Sequence, residues 1–278
     1  MDEDFMIKRL IAFCLLFNYA LFAMDDNPEI LMFIGNPGVG KSSTINALKQ
    51  EMVAKADVNL GSGLTQFFTK YKHQHQGRNY LLFDTPGLDD MKIREQAAAE
   101  IEKALKQEGS YKLFFVITLE AGRVKPSDVA TIEMVMDAIN RDDKAYNVII
   151  NKISKLEKNA LSLPSNIDVL FQQINSGKYK TKNIFYIDLD RDLADGDKSF
   201  FKPSIDFENF IYQDSQGILI KKVEVEKIKI DKFEEIRMAN EQELNKIKEE
   251  LKAAQNRPPQ VIHHYHNSGG GGRDCAIQ

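Results

Sequence analysis

The sequence predicts an α/β fold, a mainly parallel sheet with helices on both faces, followed by a helical extension at the C-terminal end. Three observations predict it. Short, almost continuously apolar runs (ILMFI from Ile30, NYLLFD from Asn79, KLFFVIT from Lys112, YNVIIN from Tyr146, NIFYI from Asn183) are separated by stretches with helical spacing; strands covered on both faces read as such runs. The first run leads straight into a glycine loop and then a helical pattern at Thr44, Ile45, Ala47 and Leu48. Beyond Tyr212 the chain turns highly charged, with apolar positions recurring at threes and fours, the mark of an amphipathic helix.

Taken in order, the first strand runs from Glu29 to Gly35 and the first helix from Lys41 to about Ala54, ending before the polar, glycine-rich segment 59–63. Phe67 to His75 alternates as an exposed strand with Tyr71, His73 and His75 on one face. These histidines read as a solvated strand face, because no further Cys/His cluster with ligand spacing lies nearby. The strand Asn79 to Asp84 follows, then a helix from Arg94 to Gln107 and the strand Lys112 to Thr118. Pro126 opens a helix to about Ile139. The strand Tyr146 to Asn151, a helix from Ser165 to Ile174 and the strand Asn183 to Ile187 complete the alternation. Gly217 to Ile230 mixes the two periods and stays open. From Phe233 to Ala254 the apolar positions form one face, which folds back on the domain or pairs with a second copy in short heptads interrupted by Asn240. Four regions result: an apolar N-terminal segment (1–27), the α/β domain (28–213), the charged helical extension (214–257) and a flexible tail (258–278).

Gly35, Gly40, Lys41 and Ser42 fit the pattern G-x-x-x-x-G-K-[ST]. Backbone N–H groups of such a loop, with the N-terminus of the helix behind it, cradle phosphates. The nucleotide-binding candidates are therefore Gly35, Asn36, Pro37, Gly38, Val39, Gly40, Lys41, Ser42 and Ser43, with Lys41 on the β- and γ-phosphates and Ser42 on Mg²⁺. Thr65 is the best placed hydroxyl to complete the metal shell, with Thr69 as competitor. Asp84, 42 positions after Ser42 at the end of an apolar strand, is the acid for the metal. Gly87 in Asp84-Thr85-Pro86-Gly87 offers a backbone N–H to the terminal phosphate. Metal candidates are thus Ser42, Thr65 and Asp84; catalytic candidates are Thr65 and Gly87.

With 278 residues and 43% hydrophobic content, the chain holds one ordinary α/β domain plus extensions. A net charge of −4 without a long basic block argues against nucleic acid as the main partner. Two cysteines, Cys14 and Cys275, give no disulfide framework. Lys8 and Arg9 precede the apolar run from Leu10 to Ala23, which has the length and flanks of a signal-peptide core. Three readings stand: an upstream start passed over in favour of Met24, an uncleaved membrane anchor, or an export signal. The tail, with His263, His264, His266 and four glycines, ends Cys275-Ala-Ile-Gln278. That fits the C-a-a-X prenylation signal at Cys275, a lipid that by itself binds membranes weakly and needs a second signal.

The run GNPGVGKS, then Thr65, then DTPG, then Asn151-Lys152 after an apolar strand resembles the G domain of translation-factor-class P-loop GTPases. DTPGLDD is most similar to their septin-like branch, which includes the GTPases of immunity-associated proteins. The resemblance covers about Pro28 to Tyr212. It implies a GTP/GDP switch with Mg²⁺, in which Asn151 hydrogen-bonds the base and the stem of Lys152 packs on it. It also implies nucleotide-dependent dimers, through the G domain or the C-terminal helix, on membranes reached by the prenyl group or the N-terminal segment. The protein would work at the cytosolic face of a membrane, or outside the cell if the N-terminal run exports it.

Two departures matter. The family motif Asn-Lys-x-Asp reads Asn151-Lys-Ile-Ser154 here, and a serine cannot give the bidentate, charge-assisted pair of an aspartate. Either Glu157 substitutes or Ser154 only caps the following helix. Leu88 stands where Ras-like relatives carry the glutamine that orients water, so intrinsic hydrolysis should be slow. The alternatives are a non-hydrolysing scaffold and an ATP-using P-loop enzyme.

Overall fold

The computed structural model describes residues 27–54, 65–194 and 200–255. In it the first apolar run becomes strand β1 (Glu29–Ile34), buried from Ile30 onward, within a seven-stranded sheet. Parallel neighbours flank it: β3 (Arg78–Asp84), with Phe33 opposite Asp84, and β4 (Gly109–Thr118), with Ile34 opposite Phe115. With β2 (Thr69–His75), β5 (Asn147–Ile153) and β6 (Ile184–Asp188), the order is β2-β3-β1-β4-β5-β6. Only the two-residue turn Gln76-Gly77, with φ of 48° and 78°, reverses direction along this path, pairing β2 with β3 antiparallel. Parallel neighbours need crossovers, and α1 (Lys41–Lys49), α2 (Arg94–Leu105), α3 (Pro126–Asp137) and the pair α4 (Lys155–Ala160) and α5 (Pro164–Ile174) serve them, while the short α6 (Arg191–Ala194) follows β6.

Alternation along β1 splits the core in two. Met32 and Ile34 face a layer with Phe83, Phe115, Ile101 and Val135, while Leu31 and Phe33 face a second with Ile45, Leu82, Phe114 and Phe210. Each layer holds a full complement of buried aromatic and aliphatic side chains.

Several boundaries differ from expectation for local reasons. The first helix stops at Lys49, not Ala54: Gln50 is left-handed (φ 51°), and the Asn46 side chain ties down the segment beyond it by accepting from the Val53 and Ala54 N–H groups. The histidine face of β2 is half-buried, not solvated. A short helix α7 (Ile205–Asn209) and the turn Phe210–Asp214 that continues it lie across the sheet, so that His75 stacks 3.9 Å from Tyr212 and His73 Nε2 lies 2.7 Å from its hydroxyl. Burial there lowers His73 to about 4.

The open stretch after Gly217 resolves into a short strand, β7 (Ile218–Ile220), antiparallel to the start of β4. The sheet therefore runs past residue 213, and the extension proper is the helix α8 (Phe233–Gln255). It folds back on α3. Asn240 does not interrupt a heptad seam; it is buried and donates to Glu133 Oε1 at 3.1 Å. The N-terminal apolar run with Cys14, the segment 55–64 with Ser62, and the tail with Cys275 and its histidines lie outside the described residues.

Candidate functional site: a phosphate loop with an oxygen cluster beside it

β1 ends at Ile34, and the loop from Gly35 to Gly40 leads into α1. Gly40 (φ 99°) has no room for a side chain, because a Cβ would run into the Asn151 amide. Lys41 is buried and folds back across the loop, its Nζ donating to Gly35 O at 2.7 Å and Asn36 O at 3.2 Å. Pro37 and Gly38 form the rim, Val39 is buried beneath it, and Ser43 is half-buried on the first turn of α1.

Parallel pairing of Phe33 with Asp84 brings the end of β3 level with the loop. Ser42 Oγ donates to Asp84 Oδ2 at 2.7 Å, Thr65 Oγ1 donates to the same oxygen at 3.3 Å, and the two hydroxyls are 3.4 Å apart. Thr69, the competitor, is exposed at the start of β2 with its hydroxyl 3.5 Å from Phe67 O. The three sequence candidates for the metal thus come together, and Thr69 stays apart.

Charge at this point is only partly compensated. Among the described residues, Asp84 Oδ1 is buried with no hydrogen bond, and burial pushes the carboxyl above its usual range while pulling Lys41 down to about 8. Their mutual attraction offsets only part of this. A divalent cation on three hard oxygens and a polyanion over the loop would restore both charges, so the residues fit a metal-bound polyphosphate.

Asn151 and Lys152, at the end of β5, brace the loop from the other side. Asn151 Nδ2 donates to Val39 O at 2.9 Å, and Lys152, in a left-handed conformation (φ 62°), donates from Nζ to Gly38 O at 2.8 Å. One amide N–H of Asn151 is thereby committed to the loop and the other is left for a ligand. Ser154 caps α4 (Lys155–Ala160) in a full capping box with Glu157.

The segment after Asp84 closes over the loop. Thr85 Oγ1 donates to Phe33 O at 2.7 Å, and Gly87 lies so close that a Cβ would sit 2.5 Å from Pro37 Cδ and 2.9 Å from Asn36 C. Leu88 is fully buried in the core. Arg94 donates to the Leu88 carbonyl at 2.7 Å and stacks 3.9 Å from the Phe233 ring, so the segment also touches the start of α8.

Sequence reading missed Asp128 and Thr131. The Asn36 amide donates to Asp128 Oδ1 at 2.7 Å and accepts from Thr131 Oγ1 at 3.0 Å, tying the phosphate loop to α3. Burial raises Asp128 to about 7, and Oδ2 has no hydrogen-bond partner among the described residues. The available signal was an aspartate and a threonine at i and i+3 within a helix otherwise apolar on that side.

A lysine folded over a glycine loop, with an aspartate from a neighbouring strand facing the first helical hydroxyl, defines a phosphate-loop nucleotide-binding domain. Residues 30–152 match the family model described as 50S ribosome-binding GTPase. The chain is 32% identical over 178 residues to the probable GTP-binding protein EngB of Clostridium perfringens (strain SM101), covering 59% of this chain and 86% of that protein. It is 29% identical over 136 residues to GTPase Der of Pseudomonas syringae pv. tomato, covering 47% of this chain and 25% of that one, so it spans about a quarter of the length of the Der relatives. Toc33 from Arabidopsis thaliana, solved in complex with GDP and Mg²⁺, is similar with a TM-score of 0.45 and 21% identity, covering 63% of this chain and 77% of that one. The chain belongs to this family of P-loop GTPases.

Proposed function

We propose that the chain binds GTP and GDP with Mg²⁺, hydrolyses GTP slowly on its own, and works as a switch whose faster turnover needs a second molecule or a partner. The observation that carries this is Leu88. Its side chain is aliphatic and fully buried, so nothing at that position reaches a water in line with a terminal phosphate. What the chain does supply is positioning. Lys41 and the loop N–H groups hold the phosphates, Ser42, Thr65 and Asp84 present oxygen to the metal, and the Gly87 N–H is carried to the loop by close packing on Pro37. Mg²⁺ held by these oxygens would supply charge neutralisation for the phosphates.

The switch segments in this reading are 62–69 and 84–92. Placement in the septin-like branch rests on DTPGLDD and the aliphatic residue within it, and the dimer and membrane expectations come with that placement. Tethering would fall to Cys275 or the N-terminal run, at the cytosolic face of a membrane. Nucleic acid is not the expected partner.

Single-turnover and steady-state GTP hydrolysis across a range of protein concentration tests the proposal. The rate per molecule should rise through the dimerisation range, and rise less in Thr65→Ala or Asp84→Ala. A fast rate that is flat with concentration would show that the chain carries its own catalytic group. No hydrolysis at any concentration, with nucleotide bound, would favour the scaffold instead.

A further inference from the structure

We propose that Glu157 carries the carboxylate that reads the guanine base, delivered through Ser154 from one helical turn further along the chain. This rests on the guanine-nucleotide reading above and deepens it.

Asn151 and Lys152 at the end of β5 bond to the phosphate loop, and residue 154 stands two positions on, where the resembled motif carries its base-reading aspartate. Guanine presents an N1–H and an N2–H there, two donors side by side. One charged carboxylate oxygen, with two lone pairs, can accept from both, and a neutral serine hydroxyl is a weaker match.

The structure brings a carboxylate to that serine. Glu157 Oε2 accepts from the Ser154 N–H at 2.8 Å and from Ser154 Oγ at 2.7 Å, while Ser154 Oγ accepts from the Glu157 N–H at 3.2 Å. The hydroxyl thus spends its only O–H on a hydrogen bond to the glutamate. Among the described residues, the hydrogen bonds to this carboxylate fall on Oε2 alone, and Glu157 is half-buried. The capping box therefore uses one oxygen and leaves Oε1 with acceptor capacity.

The short helix that carries Glu157 is held in place from outside. Lys158 pairs with Asp188 at the end of β6, and the Leu189 N–H donates to Ile153 O at 2.8 Å. The loop after β6 therefore lies against the short helix that carries Glu157, and the capping bonds orient the carboxylate.

Glu157→Gln separates base reading from capping, because glutamine at this position keeps the capping box while replacing one acceptor with an N–H₂ donor. Xanthine has the complementary edge, an N1–H donor beside a C2 carbonyl acceptor. Binding of GDP, XDP and ADP with Mg²⁺ to the full chain is measured by calorimetry, with thermal unfolding as the check on the cap. The wild type should prefer GDP, and Glu157→Gln should lose about 10- to 100-fold in GDP affinity while gaining for XDP, the scale of a hydrogen bond to a charged group. Ser154→Asp combined with Glu157→Gln should recover GDP. If the wild type selects GDP and Glu157→Gln selects it equally well, the assignment to Glu157 is overturned while the guanine reading stands. If the wild type does not distinguish GDP from ADP and XDP, the guanine reading falls, and this assignment with it.

Discussion

Asp128→Asn should change how the stability of the nucleotide-free protein depends on pH. Burial lifts the Asp128 carboxyl from its ordinary 3.8 to about 7, with the Asn36 hydrogen bond, Lys125 and Lys41 opposing and Asp89 raising it further. Between those two values the folded protein holds a proton that the unfolded chain has lost, so stability falls as pH rises and levels off above the folded value. One unit corresponds to 1.36 kcal/mol; from pH 5 to pH 8 the loss is about 2–3 kcal/mol, most of it below pH 7. His73, lowered to about 4, acts with the opposite sign between that value and its ordinary one, though its half-exposed ring makes the effect smaller. Comparison with the variant removes it, because His73 is common to both. Asparagine keeps the acceptor for the Asn36 amide and adds a pH-independent cost at the unpartnered Oδ2 position. Urea unfolding at pH 5, 6, 7 and 8 reads the result: stability of the variant relative to the wild type should climb by about 2–3 kcal/mol across the range. A difference that stays constant within about 0.5 kcal/mol would refute the idea that a buried, proton-binding carboxyl sits behind the phosphate loop.

Lys41→Ala should abolish measurable GTP and GDP binding by calorimetry, and Ser42→Asn should bind GDP in preference to GTP; parental affinity in the Lys41 variant would mean that the loop does not hold phosphate. Gly87→Ala sets a methyl carbon 2.5 Å from Pro37 Cδ and 2.7 Å from Pro37 N, and since neither yields, the segment should lift off the loop and cost about 10-fold in affinity for a non-hydrolysable GTP analogue. GDP affinity should change less, and an equal loss for both nucleotides counts against a contact specific to the terminal phosphate. Arg94→Ala removes the stacking on Phe233 and the bond to the Leu88 carbonyl. With the half-exposed Glu234 pair adding little, the loss should be about 2–3 kcal/mol, seen as faster hydrogen exchange in residues 233–240, and Arg94→Lys should not recover the stacking. Unchanged exchange there would show that packing on α3 alone holds α8.

Much of the architecture was written in local pattern. Continuous apolar runs mark strands that are covered on both faces, and the glycines of GNPGVGKS mark a loop that only glycine can follow, which is why β1, the loop and α1 were legible together. Asp84 was legible because its distance from Ser42 in sequence suits two strands that must lie side by side. The histidine strand misled for the converse reason. Alternation shows which residues share a face, and not that Tyr212, 139 positions after His73, would cover it.

What the sequence determined by itself is the class of fold, the phosphate loop, the candidacy of Ser42 and Asp84 as oxygen donors, and the amphipathic character of α8, since each follows from residues near one another or from a spacing that the backbone enforces. Tertiary structure decided between options that were locally equivalent. It took Thr65 over Thr69, folded α8 back through Phe233 and Asn240, buried Asp128 behind Asn36, and set Glu157 against Ser154. Those outcomes depend on which distant surface displaces water from a side chain, and burial of that kind is a property of the packed molecule that no local pattern encodes.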